Sequence, residues 1–441
     1  MITSTGVIPK SDPYSYTRSG EPWIAHEWLS EIIIYYIYRG GDYYLLIPVF
    51  AAIITLSFYL VYLRSSGNYY VAGFLTLFSS LSSAPTWGVR PQTITVLFTA
   101  LFLYVLDVYR VKKRFWTLAA LPVLIVLWVN LHGGYIIGLA LIGIYVIAET
   151  IHIIIGFFRK DIISLRIVVS LIITFISCVV ASLLNPNYHE ILSYPFKTII
   201  SPSMMQFIQE WFTPDFHQLE WIPLAILILA LIAIPTIFKK PTKLVGLLLV
   251  LVFTFASFRS MRFSPMLALV AIPFLADQMV GVLNCQPKRI SAVPFKQIYN
   301  AFIVLLLCSI VGVYTISIYQ KQPLIETSSF PKGAVDWIKI NKPKGNIYNT
   351  YGWGGYLIWH LHPDYPIYID GRADLYGDSF IYSYINIYTG QTEFVEYFSR
   401  QGVNIALVEP GSGLSSKLIS SPEWKLVYTD SLSNLYIRNT R

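Results

Sequence analysis

Two sets of polar residues in this 441-residue chain have the types and spacing to do chemistry. The first is acidic. Asp12, Glu27 and Glu31 share one N-terminal stretch, and Glu27 and Glu31, four apart, fall on one face of any helix formed there. A carboxylate is the usual base for an acceptor hydroxyl, and carboxylate oxygens also suit a divalent cation such as Mg2+ or Mn2+. A bland reading stands beside this one: Asp12 precedes Pro13 and suits a turn, and Glu27 suits the solvated side of an amphipathic helix. The second set is basic. Arg259 and Arg262 are three apart, so on a helix they share a face, and Arg90 stands at the end of another apolar block. Guanidinium groups pair bidentately with phosphate, which makes these three candidates for a lipid phosphate, against the alternative that they snorkel to headgroups.

Other residues join these sets. His132 sits beside Gly133 and Gly134, where it is a candidate catalyst or a structural hydrogen-bonder in a tight turn. His26, next to Glu27, and Glu210, next to Trp211 and near Asp215, are candidate substrate contacts. In the last third, Asp370-Gly-Arg372-Ala-Asp374 offers Asp370 and Arg372 to a ligand, although a strand-end turn closed by an Arg–Asp pair explains the same letters.

The elements that must position these groups are hydrophobic. Charged residues make up 13% of the chain and apolar residues 55%, where a soluble globule would be about a quarter charged. Apolar blocks at 43–63, 69–85, 92–109, 115–131, 134–157, 163–184, 220–238, 243–258, 263–283 and 298–319 predict about ten transmembrane helices. Before them, Pro22 to Tyr38 reads as an amphipathic interfacial helix. Alternate loops collect positive charge, at Arg64, at Arg110, Lys112, Lys113 and Arg114, at Arg159, Lys160 and Arg166, at Lys239, Lys240 and Lys243, and at Lys288, Arg289 and Lys296. That asymmetry predicts a multi-pass plasma-membrane protein with an extracytoplasmic C-terminus. The net charge of +8 thus reads as a topology signal, and with no continuous basic stripe it argues against a nucleic-acid partner. Cys178, Cys285 and Cys308 imply no disulfide framework, two lying inside apolar blocks and one in a short loop.

Three domains follow: residues 1–42 as an external loop with the interfacial helix, 43–322 as a transmembrane helical domain with an external loop at 185–219, and 323–441 as a soluble α/β domain. In the loop, 196–211 suits a second interfacial helix. In the last domain, 334–341 and 392–401 read as helices, and 346–349, 366–370, 404–409, 425–428 and 435–438 as strands.

The run Pro9-x-x-Asp12-Pro-Tyr-Ser-Tyr-Thr with Gly20-x-Pro-Trp and His26-Glu-Trp-Leu29 resembles the first external loop of bacterial GT-C-type membrane glycosyltransferase-like proteins. Arg90-Pro-Gln92, Trp128-x-Asn130-x-His-Gly-Gly134 and Tyr368-Ile-Asp-Gly-Arg-Ala-Asp374 extend the resemblance over most of the chain. It implies a GT-C-like fold, a polyprenyl-phosphate sugar donor, and an acceptor glycan, lipid or protein on the external face. It maps the base or metal ligand onto Asp12 and the phosphate-binding pair onto Arg259 and Arg262. It also implies a hydrophobic helix before the first loop; this sequence starts in the loop, so a truncated or mis-assigned start is expected. The expected function is sugar transfer, with a transporter or flippase of lipid-linked or polar substrates, or a non-catalytic membrane scaffold with a glycan- or protein-binding domain, as the rivals.

Overall fold

A computed structural model describes residues 1–155, 162–280 and 294–439. Arg159, Lys160, Cys285, Lys288 and Arg289 lie outside the described residues. The chain forms two compact units, one of 26–200 and 205–291, the other of 1–25, 201–204 and 292–441. The first 25 residues thus belong with the C-terminal part of the chain rather than with the helix that follows them.

The helical unit holds five helices long and apolar enough to cross a membrane: Trp28–Arg64, Pro91–Lys112, Gly133–Ile155, Leu165–Ser182 and Leu219–Phe238. Five among the described residues is half the number expected. Several apolar blocks yield helices too short to span: Tyr69–Leu81 has 13 residues, and Leu244–Arg259 and Ser264–Met279 have 16 each. At about 1.5 Å of rise per residue, none reaches the roughly 30 Å of a hydrocarbon core. Ser264–Met279 is instead the internal helix of the unit, buried from Ser264 to Ile272 without a break, which is why its sequence is apolar all round.

The amphipathic stretch and the first span are one helix bent in the middle. Gly41 leaves helical geometry and Asp42 takes a positive φ of 53°, a strained state for a residue with a side chain. The kink falls at the boundary expected between the interfacial segment and the span. The loop near residue 200 carries two helices, Glu190–Ile200 and Pro202–Phe207, where one was expected.

The charged end of the helical unit is more ordered than a set of topology signals. Arg64 pairs with Asp107 at 2.9 Å, Arg110 with Glu149 at 3.1 Å, and Lys243 with Asp277 at 3.3 Å. Tyr145 also donates to Asp107 at 2.6 Å. The first two pairs and the Tyr145 bond join the ends of the Trp28, Pro91 and Gly133 helices, and the third joins the start of the Leu244 helix to the end of the Ser264 helix. Lys112, Lys113 and Arg114 remain exposed.

The second unit is built on a four-stranded sheet of order β1-β2-β4-β3, with β1 Asn346–Asn349, β2 Val403–Val408, β3 Trp424–Thr429 and β4 Asn434–Arg438. β1 and β2 run parallel, and the other pairs antiparallel. One face packs Ile347, Ile405, Leu407 and Leu435 against Ala334, Val335 and Ile338 of the Lys332–Asn341 helix. Tyr348 carries the opposite face, stacked on Tyr384 and packed at a tilt against Tyr368 and Phe398. Residues 366–370 form no full strand. Asn349 grips that backbone instead, accepting from Tyr368 N at 3.0 Å and donating to the Ile369 carbonyl at 2.8 Å. The N-terminal segment completes this edge: Tyr16 N donates to the Ile367 carbonyl and Ile367 N to the Tyr14 carbonyl, each at 3.1 Å.

Candidate functional site

Two polar clusters emerge, one in each unit. In the sheet-containing unit Arg372 joins two buried carboxylates. Its Nε and Nη2 reach both oxygens of Asp370 at 2.8 and 2.6 Å, and its Nη1 reaches Asp12 Oδ1 at 2.8 Å. The guanidinium lies over Trp23 and Tyr14, 4.7 and 5.2 Å from their ring centres. Burial works against its charge, but the Asp370 hydrogen bonds and the charges of Asp370 and Asp12 outweigh that and hold its proton above the ordinary arginine range. Gly354 makes the turn possible, because a Cβ there would sit 2.4 Å from the Ile369 carbonyl oxygen.

This cluster leaves Asp12 no capacity for the roles expected of it. Its side chain is fully buried. Oδ1 accepts from Tyr14 N and Arg372, and Oδ2 from Ser15 N and the Ser15 hydroxyl. Four donors, one of them cationic, occupy the lone pairs a metal ion or an incoming proton would need, so Asp12 does not fit a divalent cation. Asp370 and Arg372 are likewise engaged with each other. Among the described residues no group of three His, Cys, Asp or Glu side chains is placed to hold a metal.

The second cluster is in the helical unit and is assembled from helix ends. Glu27 precedes the Trp28–Arg64 helix, and its Oε1 lies 3.4 Å from His26 Nε2 and 3.3 Å from His132 Nε2. His26 also stacks on Tyr194, with ring centres 4.4 Å apart. His132 stands where the Ala120–Leu131 helix stops, in extended backbone that turns the chain through Gly133–Tyr135. Gly134 permits the approach: a Cβ would meet Thr95 Oγ1 at 2.4 Å and His132 Nδ1 at 2.8 Å.

The hydrogen bonds around His132 assign its tautomer. Gly134 N can only donate, and it points at Nδ1 from 2.9 Å. Thr95 Oγ1 accepts from Trp128 Nε1 at 3.1 Å and lies 2.7 Å from the same Nδ1, so its own proton goes there. Nδ1 is therefore the acceptor, Nε2 carries the hydrogen, and that hydrogen faces Glu27. Burial pushes His132 down to about 4, against the pull of Glu27. Burial would raise Glu27, but the His26 hydrogen bond and the charges of His132, His26 and Arg262 hold it at about 2. At neutral pH the pair is a carboxylate and a neutral imidazole that donates to it. Thr95 and Tyr194 carry no motif that marks them, Trp128 stands in the Trp128-x-Asn130-x-His run with no role assigned to it there, and only the fold reveals their part.

A pH dependence follows. Between pH 6.5 and about 4 the unfolded chain binds a proton at this histidine that the folded chain refuses, so stability falls as pH drops through that window, by on the order of 3 kcal/mol. Glu27 acts in the same direction lower down, from its usual 4.5 to about 2. Thermal melts of detergent-solubilised protein from pH 7 to 4 should fall steeply, and His132→Asn should flatten them above pH 4.5. Parallel curves for the two proteins would refute the assignment.

The arginines gather beside these residues, but not as their spacing suggested. Ser260 is extended (φ −158°, ψ 133°) and ends the Leu244–Arg259 helix. Arg259 and Arg262 therefore do not share a helical face. Arg259 turns towards Met205 Sδ at 3.5 Å. Arg262 pairs with Glu210 Oε2 at 3.0 Å and covers the Trp211 ring at 4.8 Å. Arg90, just before the Pro91–Lys112 helix, holds the other Glu210 oxygen. Burial lowers both guanidinium groups: the charge of Arg262 lowers Arg90 further, whereas Glu27 and Tyr194 resist the effect on Arg262. Arg90, Glu210 and Arg262 line a cavity of about 300 Å³ together with Gln92, Gln209 and Gln218. Of the residues singled out from sequence, His26, Glu27 and His132 meet in one group, and Arg90, Glu210 and Arg262 in its neighbour.

No family model matches this chain, and no curated protein matches it either.

Proposed function

We propose that the protein is a plasma-membrane, GT-C-type glycosyltransferase that takes a sugar from a polyprenyl-phosphate donor at the polar end of its helical unit, with its C-terminal domain outside the cytoplasm. The observation that carries this reading is the convergence of Arg90 and Arg262, from two separate helix ends, on one carboxylate in the wall of a polar cavity. Two guanidinium groups so placed suit a phosphate, and the glutamine amides beside them suit sugar hydroxyls.

In this mechanism the bond from the anomeric carbon to the phosphate oxygen breaks, and its electron pair leaves with the phosphate. Arg90 and Arg262 stabilise that growing charge. Glu27 stabilises the positive charge left on the sugar. A carboxylate held at about 2 stays ionised and is a poor base, which changes its expected role from proton acceptor to fixed negative charge. His132 holds Glu27 in place through Nε2. The acceptor oxygen bonds to the anomeric carbon, and its proton passes to the departing phosphate, whose second ionisation lies near pH 6.

The test is to supply polyprenyl-phosphate hexoses and pentoses to purified protein in nanodiscs and follow release of polyprenyl phosphate. Donor-dependent release, with label appearing in an added glycan or lipid acceptor, is expected. Folded protein that releases nothing from any donor would end the proposal.

A further inference from the structure

Glu210 is awkwardly placed for a residue in a phosphate site. Its two oxygens are taken by Arg90 and by Arg262, the groups a phosphate would need. Nor is the arrangement a loose surface contact. Ser260 donates its hydroxyl to the Glu210 carbonyl at 2.9 Å, and Met261 N donates to the Phe212 carbonyl at 2.9 Å. These bonds fasten the turn that carries Glu210 to the turn that carries Arg262. The carboxylate itself is one-third exposed on the cavity wall, so it can swing away without unpacking the unit.

Charge says what this does. Two guanidinium groups and one carboxylate give this triad a single positive charge, and Asp215 and Glu220 on the same cavity wall lower the local charge further. A phosphodiester carries one negative charge, and a phosphate monoester carries about −1.5 to −2 at neutral pH. We propose that Glu210 is a built-in competitor: it caps the Arg90–Arg262 pair when the cavity is empty and weakens the pair's hold on a phosphate monoester. The negative charge of Glu210 opposes a doubly charged monoester about twice as strongly as a singly charged diester, which favours release of the monoester. The inference rests on the transferase reading for its purpose, since the diester would be the donor and the monoester the product. The competition itself is a binding property and is measurable without any sugar transfer.

The probe is inorganic phosphate, titrated calorimetrically into the full chain in neutral-lipid nanodiscs at low salt. Glu210→Gln keeps the side-chain shape and the backbone bonds, and its melting temperature should stay near that of the parent. It should bind phosphate on the order of tenfold more tightly, a figure well below the bare Coulomb term because the carboxylate is partly solvated. Arg262→Ala added to Glu210→Gln should erase the gain. Repeating the titration with phosphatidic acid in the nanodisc separates the sources. Loss of the gain there means a lipid headgroup already occupies the arginines, and a retained gain means they take free phosphate; either supports competition. Unchanged or weaker phosphate binding in Glu210→Gln, or a gain that survives Arg262→Ala, overturns the proposal. A tighter site in a protein that transfers no sugar would sink the transferase reading alone, and transfer without tightening would sink this one alone.

Discussion

Arg372→Ala should destabilise the sheet-containing unit by about 3–5 kcal/mol, the range for breaking a buried ion pair by removing one partner. The loss is large because what remains is worse than what is removed. Asp12 is fully buried at its side chain and Asp370 is 3% exposed. Without the guanidinium both carboxylates stay desolvated, with only neutral donors: Tyr14 N, Ser15 N and the Ser15 hydroxyl for Asp12, and the Tyr376 hydroxyl with residue 372's own N–H for Asp370. A domain's whole stability is about 5–15 kcal/mol, so proteolysis of the full chain should begin within 1–25 and 330–439 under conditions the parent tolerates. Arg372→Lys should recover little, because a single ammonium cannot bridge both oxygens of Asp370 and also reach Asp12. Adding Asp12→Asn and Asp370→Asn to Arg372→Met should recover more, since it removes the stranded charges. A denaturation midpoint for Arg372→Ala close to the parent's would show that this triad does not hold the unit together.

The second large effect is on turnover. On the proposed transferase reading, Arg90→Ala and Arg262→Ala should each lower transfer by on the order of a hundredfold or more, the usual loss when one donor to a developing anion is removed, and the double variant should show none. The contrast with Arg259 makes the experiment sharp. Sequence spacing pairs Arg259 with Arg262, whereas the fold turns Arg259 towards Met205 and gives Arg90 the partner's place. Arg259→Ala should therefore keep most of the activity. Stability should change little for Arg90→Ala and Arg259→Ala, since Arg90 is about half exposed and Arg259 exposed, and more for Arg262→Ala, since Arg262 is only about a quarter exposed and covers Trp211. If the loss appears in KM alone, the pair only binds the donor; a loss in kcat places it on the departing phosphate. Equal activity in all single variants would remove the arginines from the reaction.

Much of the secondary structure was legible because short-range pattern decides it. β1 falls at the residues expected, and β2, β3 and β4 lie within one residue of the expected ends. The helices Gly354–Leu361 and Asp378–Tyr388 were missed. Both are rich in aromatic residues that mark no simple amphipathic stripe: the first buries Leu357 and Leu361 while Tyr356 stacks on Phe330 and Trp359 is exposed, and the second sets Tyr384 against Tyr348 and Tyr368. The expected strand at 366–370 failed for a related reason. Its hydrogen bonds go to the side chain of Asn349 and to the N-terminal segment, partners no local window contains.

Sequence alone determined that this chain is dominated by apolar helices, that a small sheet follows them, and that Asp12, His26, Glu27, Arg90, His132, Glu210, Arg259, Arg262, Asp370 and Arg372 are residues of types able to do chemistry. Helix period, strand alternation and side-chain type are properties of neighbours along the chain, so a linear reading reaches them. Tertiary structure decided which of those residues meet. It spent Asp12 on an arginine 360 positions away, separated Arg259 from Arg262 by one extended serine, and aimed His132 at Glu27 through donors from Gly134 and Thr95. Hydrogen bonds and ion pairs act over about 3 Å in space regardless of distance in sequence.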